Sequence, residues 1–276
     1  MHPILFSIGP ITIYTFGLFL AIAFLVGTFV IWRYGRDEIN EEIILDLVLI
    51  ITITSLISGR LVYILLNPHI FEGNILRMIH FFNFPGFSFL WGMFFGLISG
   101  ILFSFKKKLN IGLVMDILSL GLALGISIGN FGCLFNGCIV GVKTNLPWGI
   151  NTIGVLGKRQ PISLYEALIM LVIYIIIRKL YLSEKNIRKY ATKKDKKNIE
   201  GKIASIFFIL FGLSYFLLEF FRESSVYLLG LKGNQPLYII MVIIGIGFLI
   251  KLEGIQKIKD IKHSIFNKES TTLVKQ

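Results

Sequence analysis

Long apolar runs separated by short polar segments make up most of the chain. A transmembrane helix needs about 20 consecutive apolar residues, and runs of about that length recur from one end of the sequence to the other. We count seven of them, at about 11–32, 43–66, 86–105, 111–129, 163–180, 203–221 and 236–251. The sequence lacks the alternating segments of about 10 residues that are typical of transmembrane β-barrels. The pattern therefore predicts an all-α polytopic membrane protein with seven transmembrane helices.

The basic residues are concentrated in some of the connecting segments. If the N-terminus lies outside, most of the 28 lysines and arginines fall in segments on the inner side. Cytoplasmic loops of membrane proteins carry an excess of these residues, so we predict that the N-terminus is outside and the C-terminus is cytoplasmic. This topology accounts for the net charge of +12, and we expect no nucleic-acid partner.

The same pattern predicts the organisation of the chain. We expect a seven-helix transmembrane domain over 1–255, with a basic cytoplasmic loop at 181–202, and a basic cytoplasmic tail at 256–276. No basic segment precedes the first apolar run, so we expect that run to be a retained span and not a cleaved signal peptide. The outer segment 67–85 is rich in phenylalanine, which favours packing at the headgroup level, with an entrance for a lipid substrate as the alternative.

Glycines and amide side chains are concentrated in the stretch 129–141, which follows the fourth span. It contains Asn130 and Asn136 together with Gly137 and Gly141. Glycines let backbone amides approach a ligand, and amide side chains both donate and accept hydrogen bonds. Such a cluster is costly at membrane depth unless it lines a wet or ligand-filled cavity. We therefore predict that this stretch, beginning where the chain leaves the membrane, forms the floor of a binding site.

Polar and ionisable residues of separate spans are expected at the same, outer ends of the helices. They are Arg60, Tyr165, Glu166, Glu219 and Arg222. Ionisable groups within spans are candidates for function, and a guanidinium matches the geometry of a phosphate. Their convergence predicts a pocket for the polar head of an outer-leaflet lipid. The alternative is a set of structural ion pairs, such as Arg60 with Glu166 and Arg222 with Glu219. Asp116 is deeper, and we expect it to be structural.

The two cysteines, Cys133 and Cys138, are too few for a disulfide framework or a four-thiolate metal site. They are five residues apart, so a disulfide between them requires a turn in place of a continuous helix. A structural disulfide, free thiols that pack as small apolar residues, and redox-active thiols are all compatible with the sequence. The histidines do not cluster, so we expect no metal site; they are His2, His69, His80 and His263.

Segments along almost the whole chain resemble the prolipoprotein diacylglyceryl transferase family. The start of the chain, with residues 8–10 and 16–18, is similar to the opening of the family. Residues 58–63 resemble the arginine segment of its second span, and 129–141 is similar to its signature. Later segments that match are 147–149, 160–166 and 219–222. Each segment is short, but together and in order, with seven spans and the same orientation, they are specific.

The resemblance implies transfer of the diacylglyceryl group from phosphatidylglycerol to the lipobox cysteine thiol of a secreted preprolipoprotein, with release of glycerol phosphate. The implied partners are phosphatidylglycerol, a preprolipoprotein signal peptide with its lipobox cysteine, and the lipids of the bacterial cytoplasmic (inner) membrane. No metal or organic cofactor is implied. Together with the residue pattern, the resemblance predicts catalytic roles for Asn130, Glu219 and Arg222. The predicted substrate-binding residues are Arg60, Trp91, Gly92, Asn136, Gly137, Gly141, Tyr165 and Glu166.

Several positions depart from the pattern of the family. Asn130 stands where the signature has an arginine, and the Asn and Glu of the signature fall on Cys133 and Cys138. The His-Gly-Gly that opens the third span of the family is Trp-Gly-Met at 91–93, and Tyr215 replaces an arginine. These departures leave two alternatives open. One is a lipid- or lipoprotein-binding relative without transfer activity, and the other is a membrane thiol-redox protein that uses the two cysteines.

Overall fold

Helices make up most of the protein in the computed structural model, which describes residues 4–8, 11–71, 78, 86–152, 154–190, 200–223, 227–228 and 230–252. Some of the predictions above fall outside these residues. They concern the tail at 256–276, residues 191–199 of the basic loop, most of the outer segment that follows Phe71, and His2, His80 and His263.

Eight helices and three short antiparallel hairpins are present in the described part of the chain. The helices are α1 Thr15–Gly35, α2 Glu41–Leu66, α3 Pro68–Phe71, α4 Phe89–Lys106, α5 Ile111–Asn136, α6 Ile162–Tyr190, α7 Lys202–Glu219 and α8 Gln235–Leu252. The hairpins pair β1 Ile4–Ile8 with β2 Ile11–Tyr14, β3 Ile150–Asn151 with β4 Lys158–Arg159, and β5 Tyr227–Leu228 with β6 Leu231–Lys232.

The lengths and the apolar character of these helices indicate a membrane protein. Among the described residues, six helices are long and apolar enough to cross a bilayer: α1, α2, α4, α5, α7 and α8. Many of their large apolar side chains are exposed, as expected for surfaces that face lipid and not water. Helix α6 covers the remaining predicted span but also carries Glu166, Arg178 and Lys179 within its apolar part. The chain is therefore a polytopic, predominantly α-helical membrane protein.

Three predicted element boundaries were wrong. Residues 11–14, placed in the first span, form strand β2. Helix α6 continues ten residues past the predicted end at 180, into the predicted basic loop. Helix α5 continues past 129 to Asn136, so Asn130 lies inside the helix and not in the following loop. Gly137 directly follows the helix, and its φ of 73° is the left-handed conformation that commonly terminates helices.

The described residues form two compact units, one from Met1–Ile31 and Met115–Gln276 and the other from Trp32–Val114. In the first unit, glycines allow close helix contacts. A Cβ added to Gly121 of α5 would lie 2.8 Å from the carbonyl oxygen of Gly27 in α1. A Cβ added to Gly212 of α7 would lie 2.8 Å from the carbonyl oxygen of Tyr238 in α8. Small residues at such crossings let helix backbones approach closely within a membrane.

Side-chain hydrogen bonds connect the helices that carry the polar residues of this unit. The hydroxyl of Ser127 in α5 donates to the carbonyl oxygen of Ala167 in α6 at 2.8 Å. The buried carboxylate of Asp116 accepts hydrogen bonds from the backbone nitrogens of Gly201 and Ala204, both at 2.8 Å. Asp116 therefore satisfies N–H groups at the start of α7, where a carboxylate is also favoured by the helix dipole. This contact agrees with the predicted structural role of Asp116.

In the second unit, α4 packs on α2. A Cβ added to Gly92 of α4 would lie 2.9 Å from the carbonyl oxygen of Ser55 in α2, so the two backbones nearly touch. The short helix α3 places the buried ring of Phe71 against Tyr63, with ring centroids 6.3 Å apart in an edge-to-face arrangement.

Candidate functional site

A buried cluster of polar side chains lies where four helices of the first unit meet. We refer to it as the polar cluster, and its members are Asn130 of α5, Glu166 of α6, Tyr215 and Glu219 of α7, Arg222 just after α7, and Tyr238 of α8. Both carboxylates are at most 5% exposed. Buried charged groups need partners, because their desolvation is otherwise very costly. The arrangement of those partners defines what the cluster can do.

The carboxylate of Glu166 is held by neutral donors. It accepts hydrogen bonds from the side chains of Asn130 and Tyr215. The amide nitrogen of Asn130 also donates to the hydroxyl oxygen of Tyr215 at 3.0 Å, so the three side chains bond to one another. The hydroxyl can accept from the amide while it donates to the carboxylate, because a phenol has one donor and free lone pairs.

Arg222 interacts with both carboxylates of the cluster. Its Nη1 donates to Oε2 of Glu219 at 3.3 Å, which is the predicted i,i+3 pair, and its guanidinium also bonds the hydroxyl of Tyr238. Burial lowers the pKa of Arg222, but the charges of Glu166 and Glu219 outweigh that effect, so the pKa is raised above its ordinary value. The guanidinium is therefore firmly cationic, and a quarter of its side chain remains exposed.

Glu219 also fixes the segment that leads into α8. Its Oε1 accepts a hydrogen bond from the backbone nitrogen of Asn234 at 3.3 Å. The side chain of Gln235, the first residue of α8, accepts from the backbone nitrogen of Lys232 at 2.8 Å. These bonds keep the start of α8, and with it Tyr238, beside the end of α7.

The local sequence explains how the helices present these groups. Tyr215 and Glu219 are four residues apart, so they lie one turn apart on the same face of α7. The hydroxyl of Ser127 donates to the carbonyl oxygen of Ala167, next to Glu166 in α6. Asn130 is three residues after Ser127 and lies on the same face of α5, so both Ser127 and Asn130 face α6. The ring of Tyr215 packs against that of Tyr238, with centroids 5.7 Å apart and ring planes tilted by 57°.

Backbone pairing brings the loop after α5 against the end of α7. The nitrogen of Val142 donates to the carbonyl oxygen of Phe221 at 2.8 Å, and the nitrogen of Glu223 donates to that of Val140 at 2.9 Å. Gly141, a predicted substrate-binding residue, thereby pairs with Arg222. It has no room for a side chain, because a Cβ would clash with the carbonyl oxygen of Gln160. In this unit, Gly141 and Asn130 of the predicted floor are thus brought together with the polar cluster.

Tyr165 directly precedes Glu166 in α6, but its hydrogen-bond partners are outside the polar cluster. Its hydroxyl accepts a hydrogen bond from Nε1 of Trp148 at 2.8 Å and donates to Oε1 of Gln160 at 3.0 Å. Trp148 is about half exposed. The three residues connect the start of α6 to the loop between α5 and α6.

A disulfide joins Cys133, in the last turn of α5, to Cys138, just after the end of the helix. The carbonyl oxygen of Cys133 accepts hydrogen bonds from the nitrogens of Gly137 and Cys138, so the chain turns back at Gly137 and brings the two Cα atoms to 5.2 Å. This is the turn that the sequence required for such a bond. The amide of Asn136 donates to the sulfur of Cys138 at 3.7 Å, so Asn136 and Gly137 form this turn and Asn136 is not part of the polar cluster.

Three predicted substrate-binding residues belong to the second unit. Arg60 donates to the backbone carbonyl oxygens of Met78, at 3.1 and 3.2 Å, and of Gly86, at 2.9 Å. Its guanidinium also lies 5.2 Å from the centre of the Phe71 ring. Trp91 packs edge-to-face on a neighbouring phenylalanine ring of α4, and Gly92 allows the close contact of α4 with α2. Arg60 therefore connects α2 to the backbone at Met78 and at Gly86.

Two members of the polar cluster, Tyr215 and Tyr238, were not predicted. The spacing of Tyr215 and Glu219 was a usable signal, since residues four apart share a helix face. Tyr238 is 19 residues from Glu219, and only the packing of α8 against α7 brings it to Arg222. No local sequence pattern could have indicated that contact.

Comparison with known proteins identifies relatives over nearly the whole chain. The family model of prolipoprotein diacylglyceryl transferase matches residues 3–251. A phosphatidylglycerol–prolipoprotein diacylglyceryl transferase of Finegoldia magna is 28% identical over 252 residues, which are 91% of this chain and 96% of that protein. The protein of the same name from Clostridioides difficile is 30% identical over 247 residues, 89% of this chain and 93% of that one. That of Rickettsia africae is 30% identical over 261 residues, 91% of this chain and 96% of that one.

Proposed function

The chain belongs to the prolipoprotein diacylglyceryl transferase family, and we propose that it transfers the diacylglyceryl group of phosphatidylglycerol to a cysteine thiol of a preprolipoprotein. The reaction joins the thiol sulfur to a glyceryl carbon and breaks the bond between that carbon and a phosphate oxygen. Glycerol phosphate leaves, and the thiol proton must be taken up. The relatives named for this reaction match the chain over 91% and 89% of its length, which supports the same activity here.

The polar cluster is the observation that carries the proposal within the fold. The reaction needs a thiolate as nucleophile and positive charge where the departing phosphate gains negative charge. Arg222 is a firmly cationic, partly exposed group, and Asn130 is a neutral donor on a neighbouring helix. We assign Arg222 to the phosphate, Glu219 to the orientation of Arg222 through their 3.3 Å bond, and Asn130 to donation of hydrogen bonds.

An apolar groove beside the cluster suits an acyl chain of the lipid. It runs between α6 and α7, has a volume of about 350 Å³, and is lined by residues that include Leu168, Val172, Ile176, Leu210 and Ser214. Leu168 is two residues after Glu166 and Ser214 directly precedes Tyr215, so the groove reaches the level of the cluster along the helix axes, on another face of the helices. A chain in this groove would leave the polar part of the lipid at the cluster.

In the topology that we propose, α6 also crosses the membrane and brings the number of spans to seven. The N-terminus is then outside and the C-terminus is cytoplasmic. The membrane is the cytoplasmic membrane of a bacterium. Arg178 and Lys179 near one end of the apolar part of α6 support this orientation, because basic residues favour the cytoplasmic side. Glu166, the cluster and the disulfide are then at the outer side, where a secreted preprolipoprotein presents its cysteine. We also propose roles in substrate binding for Arg60, Trp91, Gly92 and Tyr165.

A second candidate function is binding of a lipid or lipoprotein without transfer. The observation that favours it is the charge of the cluster: Arg222 is already paired with Glu219, and Asn130 adds no positive charge. Such a protein would hold the lipid head but would not cleave it.

Purified protein in nanodiscs that contain phosphatidylglycerol tests the two candidates. A fluorescent peptide with a lipobox cysteine should gain the mass of a diacylglyceryl group through a thioether bond, whereas the matched serine peptide should not. Absence of product, with phosphatidylglycerol still bound and eluting with the protein, would overturn the transferase proposal and favour the binding protein.

A further inference from the structure

The polar cluster contains one more carboxylate than guanidinium. Among the described residues, the charges that act on Glu166 are those of Arg222 and Glu219, and both carboxylates are buried. One arginine can neutralise one of them, so the ionised cluster holds a surplus negative charge. Burying an uncompensated charge is costly. Uptake of a single proton would bring the cluster to neutrality.

Glu166 is better suited than Glu219 to take up that proton. Both oxygens of Glu219 are occupied, Oε2 by the guanidinium of Arg222 and Oε1 by the backbone nitrogen of Asn234. A proton on Glu219 would remove an acceptor from one of these donors. Glu166 instead accepts from Asn130 and Tyr215, whose amide and hydroxyl groups can also act as acceptors. A protonated Glu166 can therefore keep hydrogen-bond partners.

We propose that Glu166 accepts the proton of the substrate thiol, with Tyr215 and Asn130 as positioning residues that hold its carboxylate. This inference rests on the transferase function proposed above and assigns to Glu166 a catalytic role in place of substrate binding. The requirement follows from the chemistry, because the thiolate is the nucleophile, and a thiol with an ordinary pKa of about 8.5 is largely protonated at pH 7.

The step balances in atoms and charge. The proton of the thiol moves to a carboxylate oxygen of Glu166, and the sulfur electron pair forms the bond to the glyceryl carbon. The bond from that carbon to the phosphate oxygen breaks, and its electron pair leaves with glycerol phosphate. The negative charge lost by Glu166 thus reappears on the phosphate. Arg222 stays cationic, and only one ionised carboxylate of the cluster, that of Glu219, then remains to neutralise its charge. The proton on Glu166 then returns to solvent or to the departing phosphate.

The groups that face Glu166 come from each of the elements that build the cluster. They are Asn130 of α5, Tyr215 and Glu219 of α7, and Arg222 of the following turn. Tyr238 of α8 interacts with Glu219 and Arg222 and also with Glu166. No further charged group of the described chain acts on Glu166, so substitution of Glu166 by glutamine changes the charge of the cluster by one unit and preserves its shape.

A comparison of two nucleophiles tests this role. The proteins are wild type, Glu166→Gln and the matched control Glu223→Gln, whose carboxylate pairs with Arg159 at 2.8 Å outside the cluster. Each is given a lipobox peptide with cysteine or with selenocysteine, whose selenol is ionised at neutral pH and needs no base. A general base typically contributes about 100-fold to 10,000-fold.

We expect Glu166→Gln to lose at least about 100-fold with the cysteine peptide at pH 7 and to recover to within about 10-fold of wild type with the selenocysteine peptide. Its residual rate with cysteine should rise about 20-fold between pH 7 and pH 9, as the thiol ionises in solution. Glu223→Gln should match wild type on both peptides. Recovery with selenocysteine also demonstrates that the variant is folded.

Two results would overturn the assignment. One is a wild-type rate for Glu166→Gln with cysteine, and the other is an equal loss on both peptides, which would indicate a structural or lipid-binding role. A wild-type protein inactive on both peptides would instead overturn the transferase function itself, and this inference with it.

Discussion

The amide nitrogen of Asn130 lies 3.0 Å from the hydroxyl oxygen of Tyr215, and both side chains bond the carboxylate of Glu166. Helices α5, α6 and α7 are therefore joined at the cluster by neutral hydrogen bonds to one carboxylate. Within the part of the chain that the structure describes, positive charge enters the cluster only from Arg222, beyond the end of α7.

Removal of the Tyr215 hydroxyl should misplace Glu166 without emptying the site. A hydrogen bond to a charged group contributes about 1.5–3 kcal/mol, so Tyr215→Phe should lower the transfer rate about 10-fold or more. Lipid binding should change little, because the ring remains. The measurement is kcat and KM with a lipobox peptide. Tyr181→Phe, in a buried tyrosine of α6 outside the cluster, is the control for a generic loss of stability. An unchanged kcat for Tyr215→Phe would exclude it as a positioning residue.

The pairing of Arg222 with the carboxylates should be visible in stability. Arg222→Ala leaves both carboxylates without a cation and should cost about 2–4 kcal/mol. Adding Glu219→Gln should restore part of that loss, because one surplus charge is removed. The thermal unfolding midpoint in detergent, followed by tryptophan fluorescence, measures both variants. Arg159→Ala, which breaks the more exposed pair with Glu223, should cost about 1 kcal/mol or less. Additive effects of the Arg222 and Glu219 changes would contradict direct coupling.

Loss of the disulfide should affect stability and not chemistry. Cys133→Ser combined with Cys138→Ser opens a loop of five residues, for which chain entropy gives about 2 kcal/mol. The transfer rate of the folded double variant should stay within about 3-fold of wild type, since neither sulfur is part of the polar cluster. Peptide transfer before and after mild reduction of the wild-type protein provides the same comparison without substitution. Complete loss of transfer in both experiments would support the redox alternative.

Asp116 should matter for the start of α7 alone. The two carboxylate oxygens of Asp116 accept hydrogen bonds from the backbone nitrogens of Gly201 and Ala204. Asp116→Asn replaces one of these acceptors with an NH₂ donor, which should lower the free energy of unfolding by about 2–3 kcal/mol. We expect a lower unfolding midpoint with a normal KM for the peptide at a temperature where the variant is folded. The exposed Asp46 offers a matched Asp→Asn control in α2.

Filling the groove between α6 and α7 should weaken lipid use. Val172 lines this groove and is half exposed, so Val172→Trp would occupy the space without changing the cluster. The KM for phosphatidylglycerol in mixed micelles should rise about 10-fold, since several buried CH₂ groups at about 0.8 kcal/mol each are displaced. Ile243→Trp, on an exposed position of α8, should leave KM unchanged. Equal KM values for the two variants would place the acyl chain elsewhere.

Six of the predicted spans coincide with helices that are long and apolar enough to cross a bilayer. They were predictable because bilayer thickness sets the number of consecutive apolar residues, which is visible in the local sequence. The end of α5 was not, since Gly129 and Gly132 both remain helical and Gly137 ends the helix. Glycine permits a turn but does not require one, and packing decides among several glycines. Three members of the candidate site could be predicted from the sequence. The pair of Glu219 and Arg222 was indicated by their spacing, and Glu166 was indicated by its position within a predicted span. The contact of Asn130 with Tyr215, 85 residues later, depends on how α5 and α7 cross, which the pattern of one chain does not contain.

Gly141 places a different kind of limit on the protein. Its backbone pairs with Arg222 while the carbonyl oxygen of Gln160 occupies the space of a side chain. The side chains of the cluster meet through hydrogen bonds, so a polar pair such as Asn130 and Tyr215 can be exchanged for another that forms equivalent bonds. Even a methyl group at 141 would force the loop away from Arg222. Substitutions that change the charge around Arg222 are therefore compatible with this backbone, whereas any side chain at position 141 is not.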